Sequence, residues 1–355
     1  MAIRSGRWAV LCSTVLAGSL WLGAGSSGHD NVPRRVSYEL GRKVFFEETF
    51  DGNGRTCATC HDPRNEFTVS PRLVQERHNL DPEHPLFRPV DSDDGAGNDY
   101  TTLLEHALFR VTIPLHPSVV WEDHPERRAI TVWRGAPSIA NLPLTGPYLQ
   151  DGRAPTLQAQ ALGAIRDHME PARPPLAKEL DALAAFENEL YYPLRLRSLD
   201  DTTDPLPKEP GFSLPVQSPA AERGRVSFEL RCLRCHGGEL GHTPPAPTTP
   251  QFTNVLVSDI NALNLPLLRL AFHKPDGSVT VTVTPDPGRA AITGDLRDLN
   301  AFDTPALRGV KHTAPYFHDN SAATLPDVIQ HYNNVLQFQM TQQEKDDLAS
   351  FLELF

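Results

Sequence analysis

The sequence predicts a mainly α chain made of two similar domains with long loops. Three observations point there. A five-residue motif occurs twice, an amphipathic stretch at helical spacing lies late in each half, and a proline-rich break separates the halves. The boundaries fall at 1–28, 29–203, 204–219 and 220–355.

Residues 1–28 read as a secretory signal. Arg4 and Arg7 give a positive start, Trp8 to Leu22 is largely apolar, and Gly23 to Ser27 supplies small residues for cleavage. The apolar run is shorter than the roughly 20 residues of a spanning helix. No later stretch approaches that length, so no membrane span is expected after signal removal; an uncleaved anchor is the alternative. Cys12 lies inside the run and leaves with it.

The first domain, 29–203, opens with Gly41-Arg42-Lys43-Val44-Phe45-Phe46-Glu47, a short helix with an aromatic face, and then reaches Cys57-Ala58-Thr59-Cys60-His61. The second domain, 220–355, repeats the order: Gly224 to Glu229 leads to Cys232-Leu233-Arg234-Cys235-His236. Both motifs are C-x-x-C-H, the attachment signature of a c-type haem. The two thiols add to the haem vinyl groups, and the next residue, His, is placed to ligate the iron. The chain has five cysteines, and the two motifs use four of them. Redox dithiols or half zinc sites are alternatives for C-x-x-C, but neither explains the His that follows both. The expected cofactors are therefore two covalently bound haem c groups, on Cys57, Cys60 and His61 and on Cys232, Cys235 and His236. Bacterial c-type maturation occurs outside the cytoplasm, which fits export to the periplasm.

A closing helix is expected in each domain. Leu180, Leu183, Phe186 and Leu190 mark one over 176–190; Leu348, Phe351, Leu352 and Phe355 mark the other over 342–354. Both stripes read as core. Between the domains, 204–219 holds Pro205, Pro207, Pro210, Pro215 and Pro219, too many for a regular element. Val279 to Val283 alternates with Thr and reads as a short strand. The formal net charge of −11 makes nucleic acid an improbable partner. Asp91, Asp93, Asp94 and Asp99 read as a solvated loop without the bidentate Glu of a calcium loop.

Several blocks resemble the bacterial dihaem cytochrome c peroxidase and MauG superfamily. Arg134-Gly135-Ala136-Pro137-Ser138-Ile139-Ala140-Asn141 is similar to R-x-x-P-S-x-x-N. Asp151-Gly152-Arg153-Ala154, with Leu157 and Gln160, is similar to D-G-R-A-x-x-L-x-x-Q. Phe302 to Arg308 resembles F-x-x-P-x-L-R, and Thr313 to Asp319 with Thr324-Leu325 resembles T-x-P-Y-x-H-D followed by T-L. The blocks keep the family's order over about residues 35–355. The resemblance implies two cytochrome c-type haem domains, a peroxidatic haem on His61 and an electron-transfer haem on His236.

It implies further site residues. The family's distal ligand to the second haem, Met or Tyr, falls 17 residues after Pro315, on Tyr332. None of the three methionines, Met1, Met169 and Met340, fits that position. The alternative is Tyr332 as a packing residue on a helix face, with His331 or no side chain as the ligand. The family's acid–base Glu falls ten residues after Gln160, on Glu170, and Gln160 would bond peroxide. Ala164 replaces the family's Pro between them, and Gln150 stands where many members have a Trp that links the haems. Trp121 and Trp133 read as structural. One calcium ion would carry over to Asn141, Thr313 and Pro315. The stretch 68–130 exceeds that of the simplest members and holds His78, His84, His106, His116 and His124, each a candidate displaceable ligand to the first haem.

The implied activity is a periplasmic peroxidase reducing hydrogen peroxide with electrons from a small cytochrome c or cupredoxin. One alternative is MauG-like, peroxide-dependent oxidation of Trp or Tyr on a secreted partner protein. The other is a dihaem electron-transfer cytochrome without peroxide chemistry.

Overall fold

Tyr38, Gly41, Val44 and Phe45 recur at three- and four-residue spacing and form one face of a helix, α1 (Arg34–Glu47). The computed structural model describes residues 34–192, 214, 216, 218–238, 240–242 and 251–355, and residues 34–355 make one compact unit. The expected signal and most of the 204–219 break lie outside the described residues. After α1 come α2 (Cys57–Cys60), α3 (Pro71–Leu80), α4 (Thr101–His106), β1 (Leu108–Pro114), β2 (Val119–Trp121), β3 (Ala129–Gly135), α5 (Leu157–His168) and α6 (Ala177–Glu187). The second half runs α7 (Pro219–Arg231), β4 (Phe252–Thr253), α8 (Val257–Ile260), β5 (Leu268–His273), β6 (Val279–Thr284), α9 (Ala290–Thr293), β7 (Phe302–Asp303), α10 (Leu325–Val335) and α11 (Gln342–Leu352). Among the described residues helix exceeds strand, 39% against 15%, so they are mainly α as expected.

Local chemistry sets the helix starts. Ser70, Thr156, Ser218, Thr324 and Thr341 each stand at an N-cap and accept from the backbone N–H three residues on. Pro219 was expected to belong to the irregular break. It instead opens α7 at the first helical position, where its missing N–H costs nothing.

Both halves are built on the same helix crossing. Helix α1 packs on α6, and α7 packs on α11. At each crossing a glycine meets backbone. A Cβ on Gly41 would lie 1.8 Å from the Ala182 carbonyl oxygen, and one on Gly224 would lie 2.0 Å from that of Asp347. Aromatic pairs flank the contacts, Phe45 with Phe186 at 5.0 Å and Phe228 with Phe351 at 5.4 Å.

A second repeat becomes visible in three dimensions. Thr145, Pro147, Tyr148, Asp151, Ala154, Thr156 and Leu157 recur as Thr313, Pro315, Tyr316, Asp319, Ala322, Thr324 and Leu325, each 168 residues on. Both copies have a cis X–Pro bond, and Tyr148 bridges to Ala154 as Tyr316 bridges to Ala322. Each copy delivers the chain into a Thr-capped helix, α5 or α10.

The halves share core and sheet. β2 from the first half pairs with β5, which pairs with β6 from the second. Ile113, Val119, Ile130 and Val132 pack with Leu270, Phe272 and Ala290 in a single cluster. The strand expected over Val279–Val283 is β6, but the β1–β3 hairpin and β5 carried no strand expectation.

The glycine crossings are directly testable. Gly41→Ala and Gly224→Ala should each lose about 1–3 kcal/mol through overpacking, read as lower urea midpoints at an unchanged slope.

Candidate functional site

The turn that carries each motif fixes its histidine. In α2, Thr56 and Thr59 cap one another, and the His61 N–H donates to Cys57 O at 3.0 Å. His61 Nδ1 lies 2.9 Å from the Phe67 carbonyl. In the second half, the His236 N–H donates to Cys232 O at 2.9 Å, and His236 Nδ1 lies 2.8 Å from the Gly241 carbonyl. A carbonyl only accepts, so Nδ1 carries the proton in both rings and Nε2 keeps its lone pair for a metal. Burial lowers the pKa of both histidines, that of His236 to about 4, which keeps the rings neutral. Cys57, Cys60, Cys232 and Cys235 are free thiols, and burial pushes Cys60 up to about 11 and Cys232 to about 12.

This donor set fits haem c. Helix α5 supplies matching features near the first motif. Gln160 Oε1 is buried without a hydrogen-bond partner, and a Cβ on Gly163 would meet nothing within 4 Å.

A buried ion pair holds the first motif. Arg55 donates to Asp91 at 2.5 Å and to the Pro85, Leu86 and His168 carbonyls. Asp91 is fully buried, which corrects its expected place in a solvated loop; Asp93, Asp94 and Asp99 are exposed as expected. Arg55 supplies the charge that makes the burial of Asp91 tolerable. Burial alone would raise the Asp91 carboxyl, but Arg55 and His168 outweigh it and hold it down at about 2. Arg77 of α3 donates to Thr59 O and to Asp62, tying the extra segment to the motif.

The five histidines of that segment have other partners. His78 packs on Phe87, His84 accepts from Leu86 N, and His106 lies near Glu105. His116 bonds Ser118, and His124 packs on Trp121. Burial is the main cause of the lowered His61 pKa, and His168, at the end of α5, adds to it. Its signal in the sequence is a place on the face of α5 eight residues beyond Gln160. Glu170 follows, exposed, with φ 47°, and accepts from Asn53 Nδ2 at 2.9 Å.

The equivalent helices differ at a matched position. Ala164 and Tyr332 each stand eight residues beyond their capping Thr. Tyr332 is half-buried; burial raises its hydroxyl pKa, and charge on Cys232 and Cys235 adds to the rise, which places the ring beside the second motif. Neighbouring His331 uses Nε2 to donate to the Val255 carbonyl at 2.7 Å. Met340 is buried in the cluster that Cys232 packs against.

At the join of the halves, Arg134 donates to Asp286 at 2.7 and 3.0 Å and to Asp151 at 2.7 Å, all three buried. The Arg134 guanidinium lies over Phe302, which stacks on His318 at 3.7 Å and 12°. Gln150 donates to Gly135 O and accepts from Asp303 N. Trp133 is buried in β3 under Arg110, and Trp121 lies in β2. Of the expected calcium residues, Asn141 bonds both ends of its side chain to the Tyr192 backbone, and Thr313 donates to Val310 O, two residues before Pro315. Among the described residues no group of three or more His, Cys, Asp or Glu is set to hold a metal ion.

One buried carboxyl lies beside the core stripe of α6. Glu187 ends α6 at 4% exposure, and its Oε2 has no hydrogen-bond partner. Its signal is an acidic residue four positions after Leu183, on the apolar side of the helix.

The paired motifs and repeated scaffold define a dihaem c-type protein, and comparison gives the family. The family described as di-haem cytochrome c peroxidase matches residues 35–195. Cytochrome-c peroxidase IdrP2 of Pseudomonas sp. (strain SCT) is 31% identical over 309 residues, covering 83% of this chain and 72% of that protein. Cytochrome-c peroxidase IdrP2 of Denitromonas iodatirespirans is 23% identical over 353 residues, covering 89% and 80%. The crystal structure of a MauG-like protein associated with microbial copper homeostasis shares the fold at 22% identity and TM-score 0.54, covering 92% of this chain and 90% of that one. The chain belongs to the bacterial dihaem cytochrome c peroxidase family.

The Arg55–Asp91 pair sets an acid-sensitive contribution. The folded pKa of Asp91 is depressed from 3.8 to about 2, so its stabilisation is present above about pH 4 and lost as pH falls through about 2. Asp91→Asn leaves Arg55 buried and uncompensated and should cost about 3–5 kcal/mol at neutral pH. Urea unfolding of both proteins should show that gap narrowing between pH 4 and pH 2; a constant gap would contradict the pairing.

Proposed function

We propose that the protein is a periplasmic peroxidase that reduces hydrogen peroxide to water, taking electrons from a small cytochrome c or cupredoxin. The observation that supports it most is the asymmetry of the repeat. At equivalent positions of α5 and α10, one helix presents Ala164 beside an unpartnered Gln160, and the other presents Tyr332. On this reading the first pocket is open to a small substrate, and the second is filled by a side chain with a donor oxygen. Haem bound at the two motifs supplies the iron for O–O cleavage and for electron storage.

The balance is one hydrogen peroxide, two electrons and two protons giving two waters. The residues manage the protons. Glu170 takes one from the near peroxide oxygen and returns it to the far oxygen as that leaves. Asn53, which donates to Glu170, orients the carboxylate. The Gln160 amide, with an unused acceptor, positions the substrate.

Tyr332 favours a second reading, in which peroxide drives oxidation of a Trp or Tyr on a secreted partner protein. A phenolate oxygen is a hard anionic donor that stabilises oxidised iron more than a thioether does.

Glu170→Gln keeps the size and hydrogen bonding of the side chain but cannot shuttle a proton. Peroxide consumption should slow by at least about tenfold, with both haems still attached; an unchanged rate makes Glu170 an ordinary loop residue. A wild-type protein inert to peroxide, both oxidised and half-reduced, would favour the electron-transfer alternative.

Tyr332→Met should raise the potential of the second haem and remove any tyrosinate charge-transfer band. Unchanged spectra and potential would assign the position to another residue, with Met340 the neighbour to replace next.

A further inference from the structure

Glu187 is a carboxyl in an apolar place. It ends α6 beside Leu183, Phe186 and Leu190, which pack with Val44, Phe45, Ile139 and Ile165 against Cys57. It is 4% exposed, and Oε2 makes no hydrogen bond. An ionised carboxylate there is costly unless a cation or donors compensate it.

Among the described residues no cation pairs with it. The α1 side of the cluster is Tyr38, Val44, Phe45 and Phe46, with Tyr38 the titratable group among them, while Arg42, Lys43 and Glu47 are exposed. α5 contributes Ala161 and Ile165, and α2 contributes Cys57. On α6 itself, Lys178 and Asp181 are exposed and Glu179 pairs with Arg173. Burial accordingly raises the Glu187 pKa to about 8, with no charged neighbour contributing to the shift.

The same carboxyl follows Phe186 at the edge of the cluster that packs against Cys57. A negative charge on Glu187 is felt at Cys57, the first attachment thiol. A charge that reaches the thiol also reaches a haem bonded to it. Anionic Glu187 favours the oxidised, more positive iron, and neutral Glu187 favours the reduced one. Linkage requires the converse: reduction must make Glu187 hold its proton more tightly.

We propose that Glu187 is the redox-linked proton site of the first haem, taking up a proton as that haem gains an electron and releasing it to solvent on oxidation. The inference rests on haem attachment at Cys57 and Cys60, and on no other part of the proposed function. Glu187 acts through the field at the haem and touches no substrate.

The test is the midpoint potential of each haem against pH in the holoprotein, by spectroelectrochemistry. In the wild type, the first haem's potential should fall as pH rises through about 8. The limit is about 59 mV for each tenfold change in proton concentration, for one proton per electron. Glu187→Gln, which mimics the protonated acid, should flatten that haem's profile in the window and leave the second haem unchanged. Glu187→Asp should keep a slope. A flat wild-type profile, or an unchanged slope in Glu187→Gln, overturns the proposal.

Infrared difference spectra of the wild type give a second readout that needs no variant. Reduction near pH 8 should produce a protonated-carboxyl C=O band, and its absence also overturns the proposal. Mass spectrometry separates the two failures: a chain without haem on Cys57 and Cys60 sinks the family-based reading, whereas an attached haem with a pH-independent potential sinks only the role of Glu187.

Discussion

The close helix crossing at a glycine is the contact on which each half depends. Gly41 and Gly224 let α1 and α7 meet the backbones of α6 and α11 directly. That approach brings Phe45 onto Phe186 and Phe228 onto Phe351, closing an apolar wall around each motif. The turn that bears the histidine then needs only one further constraint, a carbonyl for Nδ1. Phe67 and Gly241 provide it from loops that follow the motifs. The two histidines are thus aimed by the same bond, although the sequences after them share little.

Function in such a repeat comes from where the copies diverge. The second repeated block carries matching Thr, Pro, Tyr, Asp, Ala and Leu positions into two helices with the same cap. Eight residues beyond the cap, one has a methyl group and the other a phenol. The matched positions carry different side chains on a common scaffold, with no change of backbone plan.

The segment 68–130 does more than lengthen a loop. Arg77 from α3 reaches Thr59 and Asp62 beside the first motif, while β2 adds to the sheet formed by β5 and β6. The same segment brings Asp91 to Arg55. Buried charge at the join is paired likewise, with Arg134 held between Asp151 and Asp286. Such pairs contribute less to net stability than their number suggests. They are unforgiving of single changes, which ties motif, inserted segment and second half together.

The sequence by itself determined the paired motifs and the plan. Two C-x-x-C-H motifs, the family blocks and the two closing stripes were legible because each is a local pattern, fixed by spacing along one element. The strand over Val279–Val283 was legible for the same reason. The tertiary structure decided what depends on distant partners. Asp91 looks solvated in an acidic run and is buried because Arg55 lies against it. β2 becomes a strand by pairing with β5, nearly half the chain away. Pro219 sits in a helix because its position falls one residue after a Ser cap. His168 and Glu187 gain their places by the folding of α5 and α6 around the first motif, where burial and unmet hydrogen bonds, invisible in a one-dimensional pattern, set what a side chain can do.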